Sequence, residues 1–195
     1  MVIPAVVEGY MESVFLPVVL NQIGRVDLQP NIRNAGGGTK FWPVAARYNE
    51  AGKHTAVIGL ADLEQAECAP SLLASKLPYQ SPGFHLRLAV RMLESWLLAD
   101  RQSMASFLKV PVSAMPTNPD SEMHAKRLLV DIARRSTSKS IRDALIPDDS
   151  GGVVGPDYVA TMSEFIGQHW RVAVARKTSP SLERACQRWI AIEHI

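Results

Sequence analysis

Residues 55–62 read TAVIGLAD, a short apolar run that stops at the carboxylate of Asp62. A run of this length, with no charge inside it, is typical of a strand buried on both faces of a sheet. Residues 2–7, VIPAVV, have the same character, and residues 84–90 form a third strand candidate. Pro4 cannot donate a ladder hydrogen bond, so it should place the first strand at a sheet edge or lie near the start of that strand.

Helical patterns separate these strands along the chain. Apolar residues recur at helical spacing after the first strand, where Pro17 predicts a kink or a break. Strands that alternate with helices predict an α/β fold, with a compact, mostly parallel sheet flanked by helices. A second strand is expected within residues 25–40, and the helices of this half are predicted at residues 11–19, 41–48, 64–76 and 92–107, the last as one helix or two short ones.

The C-terminal part of the chain is predicted to be mainly helical. Three prolines in residues 111–119 mark a linker-like passage. A final helix follows, because Ser179 can cap it and Pro180 suits its first position. We therefore expect an α/β core over residues 1–110 and a helical part over residues 111–195 that packs on it, or one single domain built from both. The other helices of this part are predicted at residues 121–135, 138–145 and 157–168.

The composition narrows the class of protein. The chain has 195 residues, of which 47% are hydrophobic and 21% charged, and this excludes a disordered or collagen-like chain. A net charge of +2 excludes nucleic-acid binding spread over the whole surface, so any such contact must come from a local patch. Cys68 and Cys186 lie too far apart in sequence for a metal motif and are expected to be reduced and buried. With no signal-peptide pattern and no apolar run of about 20 residues, we expect a cytoplasmic protein that does not enter a membrane.

Acidic residues follow two of the predicted strands directly. Glu8 comes after the first strand, Asp62 ends the second, and Glu64 lies two residues further on. In a parallel sheet, ligands bind beyond the carboxyl ends of the strands, so these carboxylates should meet in one crevice. Oxygen ligands of this kind suit Mg²⁺, and acidic neighbours would raise the pKa of Glu8 and prepare it for acid–base chemistry. The alternative is that each acid caps the helix that follows it.

Four segments of the chain resemble those of a known family. Residues 7–12, VEGYME, resemble the strand–Glu-Gly–helix opening of Toprim domains, and residues 58–64, IGLADLE, resemble their strand ending in Asp-x-Asp. Residues 89–100, AVRMLESWLLAD, resemble the Glu-x-Trp-x-x-Ala-Asp stretch of a bacterial Toprim-like family known as domain of unknown function 4276. Residues 179–184, SPSLER, resemble its C-terminal segment, so that the resemblance covers most of the chain.

This resemblance implies a Toprim-like fold and a magnesium- or manganese-dependent enzyme that makes or breaks phosphodiester bonds. Glu8 would be the acid–base residue, and Asp62 and Glu64 would hold the metal. Glu64 departs from the family, which has an aspartate there, and its extra methylene changes the reach of the carboxylate. The family is associated with mobile elements and phage defence. The candidate accessory acids are Glu12, Glu94 and Asp100.

Two of these accessory acids cannot share one face of a continuous helix. Glu94 and Asp100 are six residues apart, which is about 240° around a helix axis. Glu94 lies beside an apolar stripe, so its charge must be paired, either with a metal or with Arg91 or Arg87. We favour the salt bridge for Glu94, and a position at a helix end or in a loop for Asp100.

Basic residues supply the candidate contacts to phosphate. Residues 36–40, GGGTK, could bring backbone N–H groups and Lys40 to an anion, although the spacing is not that of a P-loop and a flexible surface turn is the alternative. Residues 134–142 carry four positive charges and no negative one, and they are either a nucleic-acid contact or a solvated basic loop. The candidate contacts to phosphate or nucleic acid are Lys40, Arg91, Arg134, Arg135, Lys139 and Arg142.

Three functions are compatible with this pattern. The first is a magnesium-dependent nuclease-like enzyme that acts on DNA or RNA with the strand-end carboxylates. The second is a non-catalytic regulatory or binding module that works beside a partner ATPase in a defence or mobile-element system. The third is hydrolysis of a nucleotide or small phosphate ester at the same residues, which predicts a narrow pocket in place of an open groove.

Overall fold

The computed structural model describes residues 1–148 and 151–193, and it contains one sheet of four strands. The strands span Val2–Val7 (β1), Gln29–Asn34 (β2), Val57–Asp62 (β3) and Phe84–Ala89 (β4). Their order in the sheet is β2-β1-β3-β4, and every neighbouring pair is parallel. The predicted α/β class, a parallel sheet flanked by helices, is therefore confirmed.

Over residues 1–148 and 151–193, ten α-helices follow or separate the strands. No helix in the described part of the chain is both long and apolar enough to cross a membrane. Two short 3-10 turns lie in the proline-rich passage after residue 110. The helices are Tyr10–Gln22 (α1), Gly38–Ala51 (α2), Ala69–Lys76 (α3), Leu93–Leu98 (α4), Arg101–Leu108 (α5), Ala125–Ala133 (α6), Lys139–Leu145 (α7), Tyr158–Gln168 (α8), Val172–Ala175 (α9) and Pro180–Ile190 (α10).

Strand β3 is buried on both faces of the sheet, as its composition predicts. Val57 and Ala61 face one hydrophobic cluster, and Ile58 and Leu60 face another on the opposite side. Gly59 lies between Ile58 and Leu60 in the strand, and a Cβ atom on it would lie 2.7 Å from the side chain of Leu86 in β4. The strand can therefore pair closely with β4 only because this residue has no side chain.

Strand β1 is an interior strand, and it holds Pro4 near its start. Strand β2 pairs with β1 along its whole length, but β3 pairs with it only from Ala5 to Val7. Pro4 thus lies where β1 has one neighbour, and its missing N–H group costs no bond to β3. Of the two predicted positions for Pro4, the sheet edge was wrong and the start of the strand was right.

Helix α1 continues through Pro17, so the predicted break at this residue was wrong. Pro17 itself is exposed, whereas Phe15, Leu16 and Val19 are fully buried on the inner face. Packing of these side chains holds both halves of the helix in place. Tertiary burial stabilises helices more than local propensity does, and here it outweighs one lost backbone bond.

One predicted helix is shorter than expected, and a second forms as the two short helices that the sequence allowed. Residues 64–76 were predicted as one helix, but α3 begins only at Ala69, because Glu64 adopts a left-handed backbone with φ of 52°. Residues 92–107 form two helices, α4 and α5, that meet at Asp100. The late start of α3 follows β3 directly, where the chain turns at the end of the sheet.

Of the C-terminal helices, α8 and α9 pack on α1, whereas α10 packs on β4 itself. Gln22 at the end of α1 donates to the carbonyl of Trp170 at 2.8 Å and accepts from the N–H group of Val172 at 2.7 Å. The rings of Phe15 and Trp170 lie 4.8 Å apart. The larger hydrophobic cluster therefore contains side chains from both parts of the chain.

The two cysteines differ in exposure. Cys186 is buried as predicted, and burial raises the pKa of its thiol to about 12. Cys68 is exposed at the start of α3, so the prediction of a buried thiol was wrong there. Helix α3 contributes no buried residue to the core, which leaves nothing to cover the cysteine.

Candidate functional site

Glu8 is held at the carboxyl end of the two central strands. Its N–H group donates to Leu60 O at 3.0 Å, and its Oε2 accepts from the N–H group of Asp62 at 3.2 Å. The N–H groups of Gly36 and Gly37 donate to its carbonyl at 3.1 and 2.9 Å. Burial raises the pKa of Glu8, and the charge of Glu64 adds to this, against the lowering effect of the Asp62 N–H group. The side chain is thus fixed between two loops and favours protonation more than an exposed glutamate does.

Asp62 is the last residue of β3, and its side chain turns toward the start of α4. Its Oδ1 accepts from the N–H group of Leu93 at 2.9 Å. Burial raises the pKa of Asp62 well above its usual range, and repulsion from Glu12, Glu94 and Glu8 raises it further. Hydrogen bonds place two of these acids next to Asp62, because its own N–H group donates to Glu8 Oε2 and its Oδ1 accepts from Leu93, the neighbour of Glu94 in the chain.

Glu12 is a buried carboxylate in the first turn of α1. Its Oε2 accepts from the N–H group of Gly9 at 3.0 Å, which closes a capping box at the start of the helix. Burial raises its pKa from 4.5 to about 7, with contributions from Glu8 and Glu94 and a smaller opposing effect of Lys126. The candidate accessory acid Glu12 therefore lies beside Glu8.

Glu94 lies in α4 and has only 3% of its surface exposed. Its Oε1 accepts from the hydroxyl of Tyr158 at 3.0 Å and lies 3.4 Å from Lys126 Nζ. A salt bridge was the favoured prediction for Glu94, and the structure shows one, but its partner is Lys126 instead of Arg91 or Arg87. Arg91 donates to the carbonyls of Ala66 and Glu64.

We call the four carboxylates described above the acidic cluster, and Lys126 Nζ lies 3.4 Å from one of them, that of Glu94. Lys126 is half-buried, and the nearby charges of Glu94, Asp62 and Glu12 outweigh burial and raise its pKa. Four acids against one cation leave an excess of negative charge at the ends of β1, β3 and β4. The members of the acidic cluster are Glu8, Glu12, Asp62 and Glu94.

Sequence reasoning missed Lys126 and Tyr158. They come from α6 and α8, more than 60 residues after Asp62, and no motif connects them to it. One signal was available, because Lys126 lies three residues before the buried Leu129 and four before the buried Val130. A lysine on the apolar face of a helix needs an acidic partner. The spacing of Lys126 from the buried residues of α6 therefore indicated that a carboxylate from another element pairs with it.

Glu64 lies outside the acidic cluster but on the same side of the sheet. Its exposed side chain and that of Glu8 both approach Gly38, where an added Cβ would lie 3.2 Å from Glu8 Oε1 and 3.9 Å from Glu64 Oε1. Glu8, Asp62 and Glu64 together line a cavity of about 740 Å³ at the end of the sheet. The three acids predicted from strand ends therefore meet in one crevice. The other residues along this cavity include Trp42, Leu72 and Lys76.

The glycine-rich loop supports the site by holding Glu8. Gly36 and Gly37 have positive φ values of 83° and 115°, and this backbone turns both of their N–H groups toward the Glu8 carbonyl. Those two groups are therefore not free to bind a phosphate. Lys40 is exposed and does not line the cavity, so its predicted phosphate contact stays a prediction.

Asp100 is placed apart from the acidic cluster. It is fully buried at the start of α5, where its Oδ1 accepts from the N–H group of Ser103 at 3.2 Å. Arg171 donates two further bonds from its guanidinium, each of 2.9 Å. Burial alone would raise the pKa of Asp100, but these bonds outweigh it and lower the pKa. Asp100 takes the predicted helix-end position and holds α5 against the residues before α9.

The predicted basic segment lies at the junction of α6 and α7. Arg134 is 3.5 Å from Asp131 in an exposed pair, and Arg142 donates to the carbonyl of Ser136. Arg135 and Lys139 are exposed. The segment presents positive charge to solvent, and its contact with nucleic acid stays a prediction.

The carboxylates of the acidic cluster are engaged with protein groups. Among the residues that the structure describes, no three His, Cys, Asp or Glu side chains are arranged so that they could hold a metal ion. Glu12 bonds to the start of α1, Asp62 to the start of α4 and Glu94 to Tyr158. A metal ion would require at least some of these carboxylates to turn.

No protein-family model, curated protein or solved structure matches this chain. The resemblance to Toprim-like proteins therefore rests on the short segments quoted above.

Proposed function

We propose that the protein is a magnesium-dependent enzyme of the nuclease type, which hydrolyses or transfers phosphodiester bonds at the ends of β1, β3 and β4. The observation that carries this proposal is that Glu8, Asp62 and Glu64 line one cavity at the strand ends, where the N–H group of Asp62 donates to Glu8 Oε2 at 3.2 Å. Carboxylates whose pKa values are raised by burial and by neighbouring acids, as those of Glu12 and Asp62 are, are typical of functional sites. Manganese would serve in place of magnesium.

The chemistry of the donor set fits a divalent cation. Magnesium prefers carboxylate oxygens and keeps several waters, so it does not need a closed cage of protein ligands. Asp62 and Glu64 would hold it, as the family resemblance implies, with Glu8 beside them in the same cavity. When bound, the ion would stabilise negative charge on a phosphate and make water a stronger nucleophile.

The protein's own groups have separate tasks in this proposal. Glu8 would accept a proton from the attacking water, because a pKa raised by burial brings a carboxylate nearer to the working pH of a general base. Lys126 offers an ammonium group to phosphate oxygens beside the carboxylates. Tyr158 fixes Glu94 and, through it, the position of Lys126.

Hydrolysis of a nucleotide or small phosphate ester would use the same residues. The cavity of about 740 Å³ supports this second candidate, since small-molecule pockets usually measure some 300–1,000 Å³. A small phosphodiester such as bis(p-nitrophenyl) phosphate should then be cleaved as readily as a polymer.

A non-catalytic module that acts with a partner ATPase is the third candidate. The bond from the Leu93 N–H group to Asp62 Oδ1 favours it, because it ties a proposed metal ligand to the start of a helix. In this case the acidic cluster would only organise the loops around it. A role in phage defence or mobile-element biology belongs to this proposal as well as to the enzyme, and it rests on the family resemblance.

Calorimetric titration with magnesium and manganese tests the proposal. Asp62→Asn keeps the size of the side chain and can still accept from Leu93, but it removes the charge. We expect the wild type and the control Asp143→Asn, an exposed residue of α7, to bind the metal, and Asp62→Asn to lose at least tenfold in affinity. Hydrolysis of DNA, RNA and bis(p-nitrophenyl) phosphate, with Glu8→Gln as the inactive control, then identifies the substrate. Equal metal affinity of the wild type, Asp143→Asn and Asp62→Asn would contradict the proposal that the protein is an enzyme of this type. The absence of hydrolysis with every substrate would contradict it as well.

A further inference from the structure

Three arginines and one histidine gather along the open edge of the sheet, away from the acidic cluster. Strand β4 is an edge strand, and helix α10 packs against it. His85 and Arg87 point to the face of β4 opposite to its apolar residues, which belong to the smaller hydrophobic cluster. Arg184 and Arg188 are four residues apart on α10, so they lie on one side of that helix.

These side chains lie close enough to repel one another. The Nη2 atom of Arg188 donates to the carbonyl of Pro82 at 3.3 Å, which places it beside the start of β4. Burial lowers the pKa of Arg87, and the charges of Arg188 and Arg184 lower it further. Burial also lowers the pKa of His85 to about 4, with Arg188 and Arg87 adding to the effect. The histidine is therefore neutral at neutral pH, and three positive charges remain.

Nothing in the described part of the chain neutralises these charges. None of the three arginines forms an ion pair with an aspartate or glutamate of residues 1–148 or 151–193. Glu183, the nearest acid in sequence, pairs with Arg176. The buried Nε atom of Arg87 has no hydrogen-bond partner among the described residues. Unpaired arginines that repel one another are a site for an anion.

The row of arginines leads toward the acidic cluster. Helix α10 runs antiparallel to β4, because Arg188 contacts Pro82 before the strand, whereas Ser181 accepts from the indole of Trp96 after it at 2.6 Å. Arg87 lies two residues, or about 7 Å, before Ala89, which pairs with Asp62 at the end of the sheet. A chain of phosphates along the row would therefore be directed to the end of β3, where Asp62 lies on the same face of the sheet as Leu60, the partner of Arg87.

We propose that Arg87, Arg184 and Arg188 form a track that binds the phosphate backbone of a nucleic acid whose scissile bond lies at the acidic cluster. This inference rests on the proposed function and makes its substrate a polymer. Arg184 and Arg188 are separated by about 6 Å along the helix axis, which spans about two phosphates of one strand. A free nucleotide held at the acidic cluster would leave the track empty.

Binding measured without catalysis tests the track. Fluorescence anisotropy with a short labelled DNA duplex is recorded in EDTA over a range of salt concentrations, in a Glu8→Gln background that cannot hydrolyse it. Because each phosphate contact contributes about 0.9 to the slope of log K against log salt, the double variant Arg184→Gln/Arg188→Gln should lower that slope by about 2. The double variant Arg184→Lys/Arg188→Lys should keep the slope of the parent protein. The control pair Arg33→Gln/Arg47→Gln, two exposed arginines of β2 and α2, should keep it as well.

Two other probes separate the rival occupants. A single-stranded RNA of the same length should show a similar loss of slope in the glutamine double variant, at about 0.7 per contact. Poly-glutamate should compete poorly with either nucleic acid, and equal competition would assign the track to an acidic protein and overturn the proposal. An unchanged slope in the glutamine double variant, or no binding by the parent protein, would also overturn it. A failure to hydrolyse nucleic acid would not overturn the proposed track, because this binding measurement does not require catalysis.

Discussion

The hydroxyl of Tyr158 donates a 3.0 Å hydrogen bond to Glu94 Oε1, and this bond joins helix α8 to the acidic cluster at the end of the sheet. Both residues are almost fully buried, at 2% and 3% exposure. Lys126 approaches the same oxygen at 3.4 Å. The C-terminal helices thus complete the site as well as covering the core.

Replacing Tyr158 by phenylalanine should destabilise the protein by about 2 kcal/mol. The change removes one hydrogen bond to a buried charged group and leaves the ion pair of Glu94 with Lys126. Urea denaturation measures the effect. Tyr10→Phe is the matched control, because Tyr10 is exposed, and its free energy of unfolding should change by less than about 0.5 kcal/mol. Equal effects of the two changes would show that the bond does not stabilise the fold.

The stability of the metal-free protein should fall as the pH rises from 4.5 to about 7. The pKa of Glu12 is raised from 4.5 to about 7 in the folded protein, so between these values the folded state binds more protons than the unfolded state. The free energy of unfolding then decreases with pH, by up to about 3 kcal/mol for this group, and levels off above pH 7. Burial and repulsion raise the pKa values of Glu8 and Asp62 as well and act in the same direction.

The variant Glu12→Gln should lose most of this pH dependence. Its amide can still accept from Gly9, but it does not titrate, and it also reduces the repulsion on Asp62. Urea midpoints in EDTA at a series of pH values measure the difference, with Glu164→Gln on the exposed side of α8 as the control. A wild type that grows more stable over this pH range would be inconsistent with a cluster of repelling carboxylates.

The variant Gly38→Ala should weaken metal binding without unfolding the protein. Its Cβ would lie 3.2 Å from Glu8 Oε1 and 3.9 Å from Glu64 Oε1, in the space between two proposed metal-site carboxylates. An alanine in a helix is otherwise favourable by up to about 1 kcal/mol. Gly167→Ala in α8 is the matched control, because nothing lies within 4 Å of its added Cβ. Calorimetry should show weaker magnesium binding to Gly38→Ala and unchanged binding to Gly167→Ala. Equal magnesium affinity of the two variants would place the metal elsewhere.

Only Cys68 should react with a thiol reagent in the folded protein. It is exposed, whereas Cys186 is buried and has its pKa raised to about 12, so that its thiolate is scarce. Iodoacetamide labelling followed by mass spectrometry should find one modified cysteine before denaturation and two after it. The variant Cys68→Ser should remain unlabelled until it unfolds, and rapid labelling of this variant would show that the region around α10 opens.

Much of the fold followed from local pattern. Apolar runs of strand length, separated by helical stripes, predicted a parallel sheet with helices, because short-range periodicity records which faces are buried. The same rule placed Glu8 and Asp62 at strand ends, and parallel strands bring such ends to one edge. The left-handed backbone of Glu64 and the continuous helix through Pro17 were not predicted, because both depend on the packing of neighbouring segments.

By itself, the amino-acid sequence determined the class of fold, the order of its elements and the acids that follow β1 and β3, since each depends on residues close together in the chain. Only the tertiary structure decided which groups share the site. Lys126 and Tyr158 reach Glu94 through the packing of α6 and α8, and Arg188 reaches the carbonyl of Pro82 through the packing of α10 on β4. Contacts between residues so far apart in the chain depend on how helix faces fit together, and local spacing carries no record of that fit.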